Sequence, residues 1–449
     1  MIQLEIRNKL FFIVFCFFTW ISNSQTGFQF KNPDKNHQVV SFKKINNLIV
    51  IPLKINGKKL SFILDTGVNK TILFSLSAND SISLLNTRKM KLKGLGGGDS
   101  VDALISQKNT VEIKGIKTKN ETIFVVLKDF FNLSGKMGTT IHGIIGYSLF
   151  KNFIVKINYK TNRLHFYNPK TFDYEKCKKC FSTDLRFYRK KPYINTKVVL
   201  DTVSGKTTDV KMLIDTGGSD AIWLLEKSKK NIVTPNRFFN DILGEGLSGT
   251  IYGNRSRIPT LILGDYRIKE PTCSFLDSLS TVNARKFTER NGSIGGGILS
   301  RFKIWIDYRN HKIVFKKNGS FKKGFNYNMS GLDVVYSGKE LVRERAIQKF
   351  YNSYDVEVDK RSSISLVTRY EYRFKPSYKI NKVVVNSPAD KAGLKKDDKI
   401  IKINGKPAHE LTMADILYKF QEKHGRKIKI TIERNGERMT LQFRLEKKV

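Results

Sequence analysis

The chain has 449 residues, 40% of them hydrophobic, and a formal net charge of +41. That length holds two or three domains with sizeable cores, and the apolar fraction excludes a disordered chain. Lysines are scattered through every segment, with no basic helix, finger or aromatic-basic ribbon. The charge therefore reads as a cationic surface capable of loose contact with an anionic cell envelope, and no specific nucleic-acid partner is expected.

Residues 1–24 have the pattern of an export signal. Arg7 and Lys9 precede an apolar run over 10–21, and Ser22 and Ser24 lie just before Gln25. The run is short for a membrane span, although an uncleaved anchor is the alternative. The expected location is the periplasm, the exterior or the surface of a bacterial cell. Beyond this segment remain Cys177, Cys180 and Cys273. They are too few for a disulfide scaffold. They allow a Cys177–Cys180 bridge or one from either to Cys273, the local bridge being preferred. A zinc site would need a second pair, so no metal or cofactor is expected.

Residues 36–59 read as two strands, with Asn56-Gly57 as a hairpin turn after the apolar run 48–55. The strand 60–64 then delivers Asp65-Thr66-Gly67. A glycine-rich stretch follows at Gly94, Leu95, Gly96, Gly97 and Gly98, then a hairpin pattern over 110–127, the segment 141–150 and an alternating hairpin over 153–167. The second half repeats this order. The strand 210–214 delivers Asp215-Thr216-Gly217. Gly244, Gly246 and Gly249 form the next glycine-rich stretch, and 292–299 and 302–315 close the unit. Asp65 and Asp215 are 150 positions apart, as are Gly94 and Gly244; Ile145 and Ile294, and Ile157 and Ile306, are 149 apart. Four landmarks in order at offsets of 149 and 150 indicate a duplicated unit, and alternation with close-set turns makes it all-β.

After about residue 325 the pattern changes. The turn Ser330-Gly331-Leu332 leads into a strand, and the spacing of Leu341, Ile347, Phe350 and Tyr351 predicts a helix over 340–354. A strand over 378–385, a helix over 413–423 and a hairpin over 427–445 complete the chain.

An Asp at the end of an apolar strand is costly unless it is paired or solvated by design. Two such carboxylates facing each other would hold one proton between them, so one can activate a water while the other protonates a carbonyl oxygen. The threonines offer hydroxyls to lock the turns together, and the glycines permit close approach. Other hydrolytic motifs fail. His409-Glu410 lacks the second His of a zinc motif, and no G-x-S-x-G occurs.

On these motifs, with Ile144-Ile145-Gly146 and Ile294-Gly295 behind the turns, residues 36–317 resemble two-lobed aspartic proteases of the pepsin and retropepsin kind. The resemblance implies duplicated acid-protease β lobes over 25–170 and 191–320, joined by 171–190. It also implies Asp65 and Asp215 as the catalytic pair, supported by Thr66, Gly67, Thr216 and Gly217. Flaps are implied at 94–98 and at Gly244, Gly246 and Gly249, and substrate-backbone contacts at Asn69, Ser219 and Asp220. Many pepsin-like members carry Ser or Thr directly after the catalytic Gly. Val68 and Gly218 stand there instead, which predicts activity at weakly acidic to near-neutral pH. Residues 325–449 resemble a bacterial PDZ domain, a small β-barrel-like unit with one or two helices. The resemblance rests on Ser387-Pro388-Ala389, Ala392-Gly393-Leu394, Asp398 and Ile403-Asn404-Gly405. It implies that Ser330, Gly331 and Leu332 cap a C-terminal peptide, with 340–375 inserted. The expected function is an exported, monomeric aspartic endopeptidase acting on peptide or protein substrates. The alternatives are an inactive protease-like peptide binder and an envelope adaptor, and the PDZ-like unit could serve packing alone.

Overall fold

The computed structural model describes residues 27–74, 82–92, 100–126, 132–174, 177, 179–202, 204–246, 249–279, 281–352 and 363–449. Residues 1–24, read above as an export signal, and Gly94, Leu95, Gly96, Gly97 and Gly98, read above as a flap, lie outside them. The described chain is an all-β fold with few, short helices.

In the first lobe, the apolar strand β1 (Leu48–Ile55) turns at Asn56-Gly57 into β2 (Lys58–Leu64), pairing Val50 with Ile63. After the Asp65 turn comes β3 (Thr71–Leu73), and later the short helix α1 (Leu133–Met137). Strand β4 (Gly143–Ile145) slots between β2 and β3. It runs parallel to β2, with Ile145 beside Leu64, and antiparallel to β3, with Ile144 beside Ile72. This insertion explains the apolar run: β4 is covered on both sides, and Phe62, Leu64 and Ile145 are fully buried.

The chain then crosses through β5 (Ile154–Asn158) into the second lobe, where β6 (Lys191–Val199), β7 (Thr207–Ile214) and β8 (Ile222–Leu225) repeat the plan. A hairpin follows, made of β9 (Phe239–Gly246) and β10 (Gly249–Arg257). Strand β11 (Arg290–Ile294) occupies the slot of β4, parallel to β7 with Ile294 beside Ile214, and antiparallel to β8. Next, β12 (Phe302–Asp307) pairs with β5 of the first lobe, Ile154 opposite Asp307. The two halves thus share a six-stranded sheet beneath the lobes, and one apolar core runs through both. Cys177 and Cys180 form a disulfide, while Cys273 is a buried thiol.

The C-terminal unit has its own core, centred on Leu332, Tyr378, Ile403, Ile416 and Ile430. It begins with β13 (Leu332–Asn352), paired along its length with β14 (Ser363–Val383). The helix expected over 340–354 is a correction: as far as Asn352 this stretch is strand. Leu341, Arg343 and Arg345 stand opposite Phe374, Tyr372 and Tyr370, and the Arg343 guanidinium lies 4.3 Å from the Tyr370 ring centre. Cross-strand pairs therefore replace the helical face. The helix α2 (Met413–Lys419) starts at a capping box, Thr412 with Asp415, and ends four residues earlier than expected.

The connection to this unit is held against the second lobe. Arg301 is 7% exposed and its guanidinium lies 3.5 Å from the Phe325 ring centre. It donates to the carbonyls of Gly297 (3.0 Å), Phe321 (3.3 Å), Lys323 and Gly324 (2.9 Å). Arg257 donates to Phe325 O at 2.7 Å. At the far end the Tyr327 hydroxyl accepts from Lys448 N and Val449 N, and Arg237 donates to Lys448 O at 2.9 Å. Arg301→Ala is expected to leave these carbonyls without their donor and cost about 2 kcal/mol. Limited trypsin digestion checks it: the variant should be cut faster at Lys322 and Lys323, with the rest of the chain resistant.

Candidate active site

The two Asp-Thr-Gly turns meet at the junction of the lobes. Each is fixed by the inserted strand behind it. Asp65 N donates to Ile145 O at 2.9 Å, and Asp215 N donates to Ile294 O at 3.0 Å. Each carboxylate also accepts its own turn's amide: Gly67 N donates to Asp65 Oδ1 at 2.6 Å, and Gly217 N to Asp215 Oδ1 at 3.0 Å. The carboxyl groups face across the junction. A Cβ on Gly217 would lie 2.2 Å from Asp65 Cγ, and one on Gly67 would lie 3.1 Å from Asp215 Oδ1. Any side chain at Gly217 would therefore displace the carboxyl opposite, which is why the position needs glycine.

The threonines, fully buried, tie the turns together reciprocally. Thr66 N donates to Thr216 Oγ1, and Thr216 N to Thr66 Oγ1, both at 3.0 Å. The hydroxyls then donate across the junction, Thr66 to Ile214 O at 2.6 Å and Thr216 to Leu64 O at 2.8 Å. Each hydroxyl is at once acceptor and donor, so four buried backbone groups find partners in two side chains.

Burial, and then the negative charge of Asp215, push the Asp65 carboxyl up to about 8. The pair resists double ionisation and keeps one shared proton at neutral pH. Lys191, at the start of β6, opposes this shift. Burial and the Arg290 charge lower the Lys191 ammonium, and both aspartates favour it. Sequence reasoning did not single out Lys191. It takes the place at the start of its strand that Leu48 takes in the first lobe, each following a left-handed pair, Arg189-Lys190 and Asn46-Asn47.

Three residues expected to touch substrate backbone are engaged within the protein. Asn69 Nδ2 donates to Arg189 O at 3.1 Å, and Asn47 Nδ2 donates to Ser219 O at 3.2 Å. These two bonds mirror each other across the lobes. Asp220 accepts from Arg255 Nη1 (3.2 Å), Trp223 Nε1 (2.8 Å) and Ser274 Oγ (3.1 Å), so its carboxylate is occupied. Arg255 also donates to Asp241 Oδ2 at 2.6 Å. Burial opposes the guanidinium charge, but Asp220 and Asp241 outweigh it and raise its pKa. The triad anchors the base of the β9–β10 hairpin to the loop that follows the second turn. Gly244, Gly246 and Gly249 lie in that hairpin, Gly246 paired with Gly249, with Gly244 near Trp223. Ser330, Gly331 and Leu332 lie at the turn into β13, well apart in sequence from the carboxylates; Gly331 and Leu332 line the same cavity as Gly217, and Ser330 is fully buried.

At Gly218 a Cβ would sit 3.4 Å from the Asp215 carboxyl. Gly218→Ser would place a hydroxyl donor there and favour the ionised form. The acid limb of activity, where the shared-proton state takes up a second proton, is expected to move down by about one pH unit, read from kcat/KM against pH.

The site offers two carboxyls sharing a proton, donors fixing each, and a hairpin beside them. This arrangement can activate water against an amide and needs no covalent intermediate. Compared with known families, residues 51–149 match the aspartyl protease model and residues 379–434 match the PDZ domain model. The first match runs from within β1 through β4 and so contains the first Asp-Thr-Gly turn. No curated protein matches the chain.

Proposed function

We propose that this chain, an aspartyl protease domain with a PDZ domain behind it, is an exported endopeptidase that hydrolyses peptide bonds with Asp65 and Asp215 as its catalytic pair. The observation that carries this reading is the reciprocal meeting of two Asp-Thr-Gly turns, with the Asp65 carboxyl raised by burial and by Asp215. In the reactive state one carboxylate takes a proton from a water between the pair, and the water oxygen attacks the scissile carbonyl carbon. The other carboxyl donates its proton to the carbonyl oxygen. On collapse of the tetrahedral intermediate the C–N bond breaks and the leaving amine takes a proton from the pair. Thr66 and Thr216 position the carboxylates. The β9–β10 hairpin, anchored by Arg255, is the closing element on the second-lobe side. Export follows from the pattern of residues 1–24, and the protein is proposed to work as a monomer.

The test is digestion of an unfolded protein, with the fragments identified by mass spectrometry. Cleavage should be blocked by pepstatin and absent in Asp65→Asn. Cleavage that persists in both cases would assign the activity elsewhere, and a wild-type protein that binds peptides without cutting them would leave a binding protein.

A further inference from the structure

One cavity of about 660 Å³ runs from the C-terminal unit to Gly217 and Gly218, which adjoin the two carboxyls, although neither Asp65 nor Asp215 is in its lining. Ligand sites typically span roughly 300–1,000 Å³. One end is lined by Leu48 and by Gly217 and Gly218 of the second catalytic turn. The other is lined by Gly331 and Leu332 before and within β13 and by Leu417 of α2. A strand and a helix flanking a groove can take an extended peptide as an added strand, with its terminal carboxylate caught by backbone N–H groups.

The end that could catch a carboxylate is identifiable. Met329 N donates to Phe420 O at 2.9 Å, so the 329–332 turn abuts the C-terminal end of α2. The N–H groups of Ser330 and Leu332 are already used, by Asn328 Oδ1 and Ser330 Oγ, both at 3.0 Å. Among the described residues the Gly331 N–H has no acceptor. Gly331 is held at φ 81°, and a Cβ there would fall 2.1 Å from the Ser387 Cβ. Basic side chains outnumber acidic ones in the cavity lining, Lys44, Lys323 and Lys448 standing with Asp333 and Glu446.

The opposite end of the groove is closed by the first lobe. Helix α1 packs against both β13 and α2. Just after α1, Gly138 approaches so closely that a Cβ there would lie 2.7 Å from the Cβ of Met413, the first residue of α2. A peptide with its C-terminus at Gly331 therefore cannot leave straight past Met413. The cavity leads instead toward Leu48 and Gly217. Because the connection is pinned by Arg301 and Arg257, the distance between the two ends is set by the fold.

We propose that the substrate is a polypeptide with a free C-terminus: its terminal carboxylate docks at Gly331, and a bond a few residues upstream lies across Asp65 and Asp215. The cleavage position is then counted from the C-terminus. This rests on the endopeptidase reading above and names its substrate class. Hydrolysis adds one water: its oxygen ends in the new carboxylate of the shortened chain, and the released C-terminal peptide leaves with a new amine.

The test uses the full chain and three synthetic peptides of one sequence: the free acid, the C-terminal amide, and the free acid lengthened by two residues at its C-terminus. Products are mapped by mass spectrometry. The amide should lose at least about tenfold in kcat/KM, the loss of one charge-assisted anchor. The lengthened peptide should be cut at a bond displaced by two positions. Leu417→Asp, which puts a charge in the groove itself, should lower cleavage of the free acid toward the level of the amide and remove the dependence of the cut position on the C-terminus. Equal cleavage of acid and amide at an unmoved bond overturns the proposal and leaves the endopeptidase reading intact. If wild type cuts neither these peptides nor an unfolded protein beyond the level of Asp65→Asn, both fall.

Discussion

Asp65→Asn is expected to lower turnover by about 10⁴-fold, the loss of a general acid–base group at the top of its usual range, while leaving the protein folded and more stable at neutral pH. The stability change has a definite sign. The folded-state pKa of Asp65 is raised, by burial first and by Asp215 second. The folded protein therefore binds its proton more tightly than the unfolded chain does. That contribution is fully present below the ordinary carboxylate range and is lost as pH rises through about 8. Asparagine carries no such dependence. Thermal unfolding across pH should show wild type losing stability relative to the variant through that window, with the two converging in acid. A variant that is destabilised at pH 7 would mean that Asp65 is held as a stabilising anion and not as half of a proton-sharing pair.

The second large effect is expected at the lock. Thr216→Val keeps the shape of the side chain but removes a fully buried hydroxyl that accepts from Thr66 N and donates to Leu64 O. Two buried backbone groups lose their partner, at about 1–3 kcal/mol each. A loss of about 3 kcal/mol is expected in denaturant unfolding. Activity should fall with it, since the hydroxyl bonds span the turns that carry the two carboxylates. Thr216→Ser retains the hydroxyl and should recover most of both. If valine matches serine in stability and rate, the hydroxyl exchange does not hold the turns.

Much of the site was legible because the duplication wrote it twice. One Asp-Thr-Gly turn after a strand is ambiguous. Two of them, 150 positions apart, with Ile157 and Ile306 149 apart, also specify that matching strands surround each turn, and the structure pairs Leu64 with Ile145 and Ile214 with Ile294. Residues that act through charge at a distance left no such pattern. Lys191 is one lysine among many, and its position opposite Leu48 appears only when the lobes are folded together. Asp220 looked like a cleft residue because it follows the catalytic turn. Its partners Arg255 and Ser274 lie 35 and 54 positions further on, a separation that no local reading connects. The long β13–β14 hairpin was misread for the same reason. Leu341 is 57% exposed, so it does not belong to the buried face that a helix would have needed, and its partner Phe374 lies 33 positions further on. The six-stranded sheet shared by the lobes was likewise invisible, because Ile154 and Asp307 are paired across the whole second lobe.

The most direct measurement of the central claim, that Asp65 and Asp215 work as one proton-sharing pair, is kcat/KM for a single peptide substrate against pH. A bell is predicted, with its acid limb set by loss of the shared-proton state. The alkaline limb should lie well above the usual carboxylate range, in keeping with the raised Asp65. A rate that rises through a single ionisation and stays flat above neutral pH would contradict it.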